Sequence, residues 1–293
     1  MAENVTIANG SLSAEVSPHG AELQSIRLAE DEFLWQGNAT WWPRRSPVLF
    51  PIVGSLRGDN ALSAAGKVSL KRHGLARTLD HTIVSSSEDD VRFELVSTEE
   101  THELYPYDFR LNVSYAVHAG TLEERFDIVN TGTVALPYAV GGHPAFNVPT
   151  PQSENDFSSY RLEFARPWTY ATPRIDTKTG LLDFSDRLPL LDDSDTLALT
   201  HALFSVDTLV FEDVPECTVT LLSDAGHGIE VSFEDFQYLG VWSAAHDAPF
   251  VALEPWTGCA TATDEDDVFE HKRGMSSLAP GETASHAFTI RPF

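Results

Sequence analysis

Apolar and polar residues alternate along much of this 293-residue chain with a period of two. That is the period of a half-buried strand, because successive side chains point to opposite faces. The pattern predicts strands at VRFELVST (91–98), FRLNVSYAVHAG (109–120) and TLEERFDIVNTG (121–132), with Gly120 where a hairpin turns. It continues at YRLEFA (160–165), DTLVFEDV (207–214), CTVTLLSD (217–224), GIEVSFED (228–235) and YLGVWSA (238–244). Gly, Pro, Asn and Asp punctuate these runs as turn residues do. Helical signals are sparse: LPLLDDSDTLALTHALF (188–204) is expected to hold a turn or two. No regular strand–helix alternation, glycine-rich phosphate loop, internal repeat or linker divides the chain. The expectation is an all-β fold, one large antiparallel domain over residues 1–293.

Composition narrows the class of partner. The chain is 42% hydrophobic, enough for a packed core, and its 17 Phe, 7 Tyr and 6 Trp favour strands and surfaces that meet flat apolar faces. With 44 acidic against 19 basic residues the net charge is −25, which repels nucleic-acid phosphates and anionic membranes. Two cysteines, Cys217 and Cys259, are too few for a disulfide framework, and neither has metal-ligand spacing to another Cys or His. The N-terminus lacks a basic region followed by an apolar run, and no apolar stretch approaches the ~20 residues that span a bilayer. These features predict a soluble, cytoplasmic protein with no metal site and no nucleic-acid or membrane partner.

Three stretches carry candidate chemistry. In YAVGGHPAFNVPTP (138–151), Pro144 holds His143 in extended geometry, and Gly141 and Gly142 let backbone approach a ligand closely. That is either a tight turn with a hydrogen-bonded imidazole or a pre-positioned proton donor, since histidine titrates near neutrality. In FVALEPWTG (250–258), Glu254 ends an apolar run beside Trp256, either as a surface carboxylate at a strand end or as an acid group next to a sugar-stacking face. The third stretch, residues 44–77, holds Arg44, Arg45, Arg57, Lys67, Lys71, Arg72 and Arg77, seven of the 19 cations, together with His73. This cluster either balances carboxylates on neighbouring strands or meets an anionic or hydroxyl-rich ligand. The acidic run TDEDDVFE (263–270) reads as a solvated loop.

Taken in order, RSPVLFPIVG, HGLAR, GGHPAFNVP, DTLVF, FQYLGVWS and EPWTG resemble the aldose 1-epimerase (galactose mutarotase) family, with the LacX-like branch nearest. The resemblance implies a β-supersandwich with a sugar lying across one concave face. It implies interconversion of the α and β anomers of a free aldose without cofactor or metal. By the same resemblance Glu254 is the base at the anomeric hydroxyl and His143 the acid at the ring oxygen. His73, Asp207 and Arg45 match family positions that hold or surround the sugar, and Trp256 and Phe146 are candidates for apolar contact with it. An acid at His143 calls for surroundings that favour imidazolium. The family often has an arginine where this chain has Ser55. Either Arg57, which strand alternation would place on the same side two residues on, substitutes for it, or the recognition of the sugar hydroxyls is changed.

Two readings compete with a free-hexose epimerase. A hexose-6-phosphate epimerase would use the clustered arginines on phosphate. A non-catalytic sugar-binding protein on the same fold would not need both His143 and Glu254. A glycoside hydrolase would need two flanking carboxylates, and only Glu254 sits in a site-like motif.

Overall fold

Thr121–Asn130 shows how the alternation becomes structure: Leu122, Glu124, Phe126, Ile128 and Asn130 are buried and the residues between them are partly open. Ala119 and Gly120, both with positive φ, make the two-residue turn back to Phe109–His118. Such a turn matches the twist of the strands it joins. The computed structural model describes residues 3–151 and 156–293; the N-terminal reading lies outside it at Met1 and Ala2.

Three antiparallel sheets hold most of the strand residues among those described. The largest has nine strands, in the order Leu181–Ala198, Tyr160–Asp176, Thr218–Ser223, Gly228–Ser232, Thr283–Pro292, Thr121–Asn130, Phe109–His118, Asp90–Val96 and Thr82–Ser86. A second orders Ala145–Asn147, Phe250–Trp256, Tyr238–Trp242 and Leu209–Glu212. A third, Val5–Asn9, Leu12–Val16, Leu23–Leu28 and Asp31–Glu32, packs on the large sheet. The architecture is a large antiparallel β-supersandwich. Its main core runs from Ile7 to Ile290 and is filled by Phe, Tyr, Leu and Val from these sheets. The α-helical content among the described residues is one turn, Glu99–His102, capped reciprocally by Thr98 and Thr101.

The turn or two expected within 188–204 falls at its very end. Residues 188–198 belong to the strand Leu181–Ala198, and only His201–Val206 is helical, as a 3-10 turn. The misleading feature is a β-bulge. Tyr170 pairs with Leu191 and Trp168 with Ser194, so Asp192 and Asp193 interrupt the period of two. Asp193 has φ 46° and its N–H donates to Thr169 Oγ1. The run 263–270 is a loop up to Val268, beyond which Phe269–His271 forms a 3-10 turn with Phe269 buried. Its carboxylates are engaged: Asp267 with Arg57, Asp264 with Arg273 and Asp266 with His271.

Candidate active site

His143 sits between two pieces of backbone that glycine alone can accommodate. Gly141 bridges both Leu49 and Trp256, and a Cβ there would lie 2.6 Å from the Pro255 carbonyl oxygen. A Cβ on Gly142 would lie 2.5 Å from the Phe288 ring. The close approach that the glycine pair permits is therefore to protein, not to ligand. It draws the His143 segment against Phe250–Trp256, where Leu253 N–H also donates to Pro144 O.

Glu254 lies inside a strand, not at its end. All seven residues of Phe250–Trp256 are buried because the strand has neighbours on both edges and packing on both faces. Glu254 faces Gly240 across the sheet, and the Trp256 ring covers that glycine so closely that a Cβ on it would stand 2.3 Å from the indole.

His143 Nε2 and Glu254 Oε2 stand 3.2 Å apart, with side chains 8% and 2% exposed. Burial pushes the imidazole down from its ordinary value, and Arg77 and Arg72 add to this. Burial pushes the Glu254 carboxyl well up, with the negative Asp207 adding to it and Trp256 and Arg72 opposing. Charge is thus disfavoured on each partner alone, so burial favours a neutral imidazole facing a protonated carboxyl, one titrating proton for the pair. The contact itself is a close approach in which Glu254 Oε2 accepts no hydrogen bond from the described residues. The expectation that surroundings favour imidazolium is corrected: desolvation opposes it, with a hydrogen bond to the backbone of His143 itself acting the other way.

His73 closes a turn in which its N–H donates to Gly54 O (2.8 Å) and its Nδ1 accepts from Gly54 N–H (3.2 Å). Its φ of 68° is a strained value for a histidine. An accepting Nδ1 fixes the neutral tautomer with the proton on Nε2, and burial, then His143, Arg77 and Arg72, keep its pKa well down. Asp207 ends the turn His201–Val206 at φ 74° and accepts from Thr208 N–H and Oγ1–H through one oxygen. His73, Asp207, His143, Glu254 and Trp256 all line one cavity enclosing about 150 Å3. At about 10–15 Å3 per water-sized group that is room for ten or so, the scale of one hexose ring with its hydroxyls.

Three expected residues lie elsewhere. Arg57 grips Asp267 at 2.9 and 3.0 Å and the Ala262 carbonyl, outside the cavity. Strand alternation does not apply to it, because Arg57–Asp59 is a 3-10 turn. Arg45 donates to Gln24 and its backbone N–H to Glu22. Phe146 is fully buried in the main core, on a strand that backs the site. The guanidinium in the cavity is that of Arg72, whose Nε donates to Ser55 Oγ at 3.1 Å. A small residue at 55 leaves space for Arg72, the residue just before the HGLAR segment. Arg77 also reaches the cavity, whereas Arg44 pairs with Glu22 and Lys71 with Asp59.

Sequence reasoning missed two walls. One is aromatic: Trp42 and Trp242 both line the cavity. The TWWP run at 40–43, a tryptophan pair in a polar, turn-rich stretch, was the available signal. The other is the hairpin joining Tyr160–Asp176 to Leu181–Ala198, which supplies Ile175, Gly180 and Leu182. Leu182 fastens it by accepting from Thr263 N–H (2.8 Å) and donating to Thr261 O (3.0 Å). A Cβ on Gly180 would stand 2.8 Å from the Arg72 guanidinium. Nothing local in a turn sequence reports such a remote approach. Among the described residues, no three or more His, Cys, Asp or Glu converge so as to hold a metal ion. Nor is any helix long and apolar enough to cross a membrane.

Comparison with known proteins identifies the family and the fold. Residues 3–291 match the family model for aldose 1-epimerase, so the chain belongs to the aldose 1-epimerase family. It is 33% identical over 294 residues to the plasmid-encoded protein LacX of Lactococcus lactis subsp. lactis, covering 98% of each chain. Among solved structures it superimposes on a galactose mutarotase related enzyme from Lactobacillus acidophilus with a TM-score of 0.93, at 33% identity over 99% of this chain and 97% of the other. A galactose mutarotase-like protein from Lactobacillus casei gives a TM-score of 0.90 at 28% identity, over 99% of this chain and all of the other.

Proposed function

We propose that this protein, acting as one domain, interconverts the α and β anomers of a free aldohexose by acid–base ring opening and reclosure. The carrying observation is the His143–Glu254 pair, 3.2 Å apart and buried in a cavity the size of one sugar ring. Ring opening takes a proton from the anomeric hydroxyl and gives one to the ring oxygen. Those two oxygens share a carbon, so two neighbouring groups reach both. Glu254 acts as carboxylate at the hydroxyl and His143 as imidazolium at the ring oxygen, with the pair's single proton on the imidazole. The aldehyde rotates about C1–C2, the ring closes from its other face, and both groups return to their starting states. His73 offers its Nε2–H to a hydroxyl, Asp207 accepts from distal hydroxyls with its remaining oxygen, and the Trp256 ring bounds the apolar face of the sugar.

The test is polarimetry of freshly dissolved α-galactose and α-glucose. Relaxation faster than the spontaneous rate, saturating with sugar, is the expected result; no acceleration of either sugar by folded protein would sink the free-hexose reading. Arg72 and Arg77 favour a second reading, a hexose 6-phosphate substrate. Glucose 6-phosphate that outcompetes galactose by tenfold or more would establish it.

Arg72 should hold substrate in either case. A hydrogen bond to a charged group contributes about 1.5–3 kcal/mol, so Arg72→Ala is expected to raise KM by about 10- to 100-fold with a smaller change in kcat. Arg57→Ala should leave both unchanged, because its ion pair with Asp267 lies outside the cavity. Steady-state kinetics of the two variants side by side checks this assignment.

A further inference from the structure

His143 lacks a usual means of fixing a catalytic imidazole. Its Nδ1 is buried with no well-formed hydrogen bond among the described residues, so no carboxylate behind the ring sets its plane, and the backbone influence on it comes from His143 itself. Aromatic rings surround it instead. The Trp42 indole stacks on the imidazole with centroids 4.8 Å apart and planes 24° from parallel. Trp242 meets it edge-on at 5.7 Å and 81°, and His73 at 5.6 Å and 83°. Trp42 is itself well anchored. Its N–H donates to Asn38 O at 3.0 Å, its carbonyl accepts from Trp35 Nε1 at 2.9 Å, and Trp242 packs against it at 5.3 Å.

We propose that Trp42 is the positioning residue for His143: its indole face fixes the imidazole plane so that Nε2 meets Glu254, and it favours the imidazolium form. A stack holds a ring's plane without needing a partner on Nδ1. An aromatic face also attracts a cation by its quadrupole, more strongly when both are desolvated. Among the polar groups facing His143, its own backbone raises its pKa, and burial outweighs it. Glu254 favours imidazolium, but it must itself lose a proton to do so. His73, Arg72 and Arg77 oppose a positive charge, and Asp207 lies toward Glu254. Trp42 is therefore the neutral group that helps keep the pair's proton on the imidazole, where ring opening needs it. This role for Trp42 rests on the epimerase reading only for its effect on turnover.

The test reads the His143 ring directly, by nitrogen NMR of its protonation against pH in wild type, Trp42→Phe and Trp42→Leu. The expected result is a midpoint lower by about one pH unit in Trp42→Leu, with most of the shift restored in Trp42→Phe. Where turnover is measurable, kcat of Trp42→Leu should fall about tenfold near neutral pH. Its alkaline limb should move to lower pH, and KM should change less than kcat. A midpoint that Trp42→Leu leaves unmoved, or a wild-type ring that stays neutral at every pH where the protein is folded, would overturn the proposal. So would a rise in KM alone, which would make Trp42 simply a wall of the sugar cavity. The NMR titration decides the point even if wild type turns over no sugar, so failure here and failure of the epimerase reading are separable.

Discussion

Glu254→Gln and His143→Asn should each slow the enzyme-catalysed relaxation of α-galactose by about 100- to 10,000-fold. Glutamine keeps the shape of Glu254 and its packing under Trp256 but cannot take the anomeric proton. Asparagine at 143 loses the group that delivers a proton to the ring oxygen. The two act in the same ring-opening step, one taking a proton and the other giving one, so the double variant should be little worse than the poorer single one. Loss of folding is a separable outcome. Burial already disfavours the Glu254 carboxylate, so Glu254→Gln should unfold at a temperature equal to or above that of wild type. Activity lost with stability kept is what a catalytic role requires. Polarimetry with thermal unfolding of the same samples checks both halves.

A second large effect is expected in the core, away from the sugar. Glu124 is fully buried in Thr121–Asn130, opposite Tyr115 on the neighbouring strand, and neither carboxyl oxygen has a hydrogen-bond partner among the described residues. Burial raises its pKa to about 8, with Tyr115 opposing. The folded-state pKa lies above the unfolded one, so the folded chain holds more protons between about pH 4.5 and 8. Stability from this group is therefore fully present below about pH 4.5 and lost as pH rises through 8. At 1.36 kcal/mol per unit, the loss is on the order of 5 kcal/mol. His81, buried and pushed down to about 4, has the opposite sign: its contribution is present above about pH 6.5 and lost as pH falls through 4. Glu254 has the same sign as Glu124, so the comparison needs the variant. Glu124→Gln should match wild type near pH 4.5 and exceed it by a few kcal/mol at pH 8 in urea unfolding. Equal stabilities at pH 8 would contradict the assignment.

Strands were the most legible feature of this chain because alternation reports burial directly. The hairpin at Gly120 was legible because its turn residues allow positive φ. The segment 188–204 was not, because a bulge at Asp192 and Asp193 hides a strand's period. At the site, the motifs around His143, Glu254, His73 and Asp207 could be quoted from sequence, and the structure brings these four to one cavity. Arg57 and Arg72 show where sequence proximity fails. Counting alternate positions from Ser55 selected Arg57, but a 3-10 turn carries it to Asp267 while Arg72 arrives from a neighbouring segment. Glu254 read as a strand end because Pro255 follows, yet the strand continues through Trp256. The hairpin wall depends on contacts across the fold that no local pattern encodes.

The central claim is that the paired His143 and Glu254 exchange anomers of a free sugar, and exchange can be observed at equilibrium without any net reaction. Two-dimensional exchange NMR of the anomeric protons of galactose, with and without protein, measures this directly. The expected result is α–β cross-peaks that build up in proportion to wild-type protein and vanish with Glu254→Gln. Cross-peaks no stronger with wild type than in buffer, for both galactose and glucose, would contradict it.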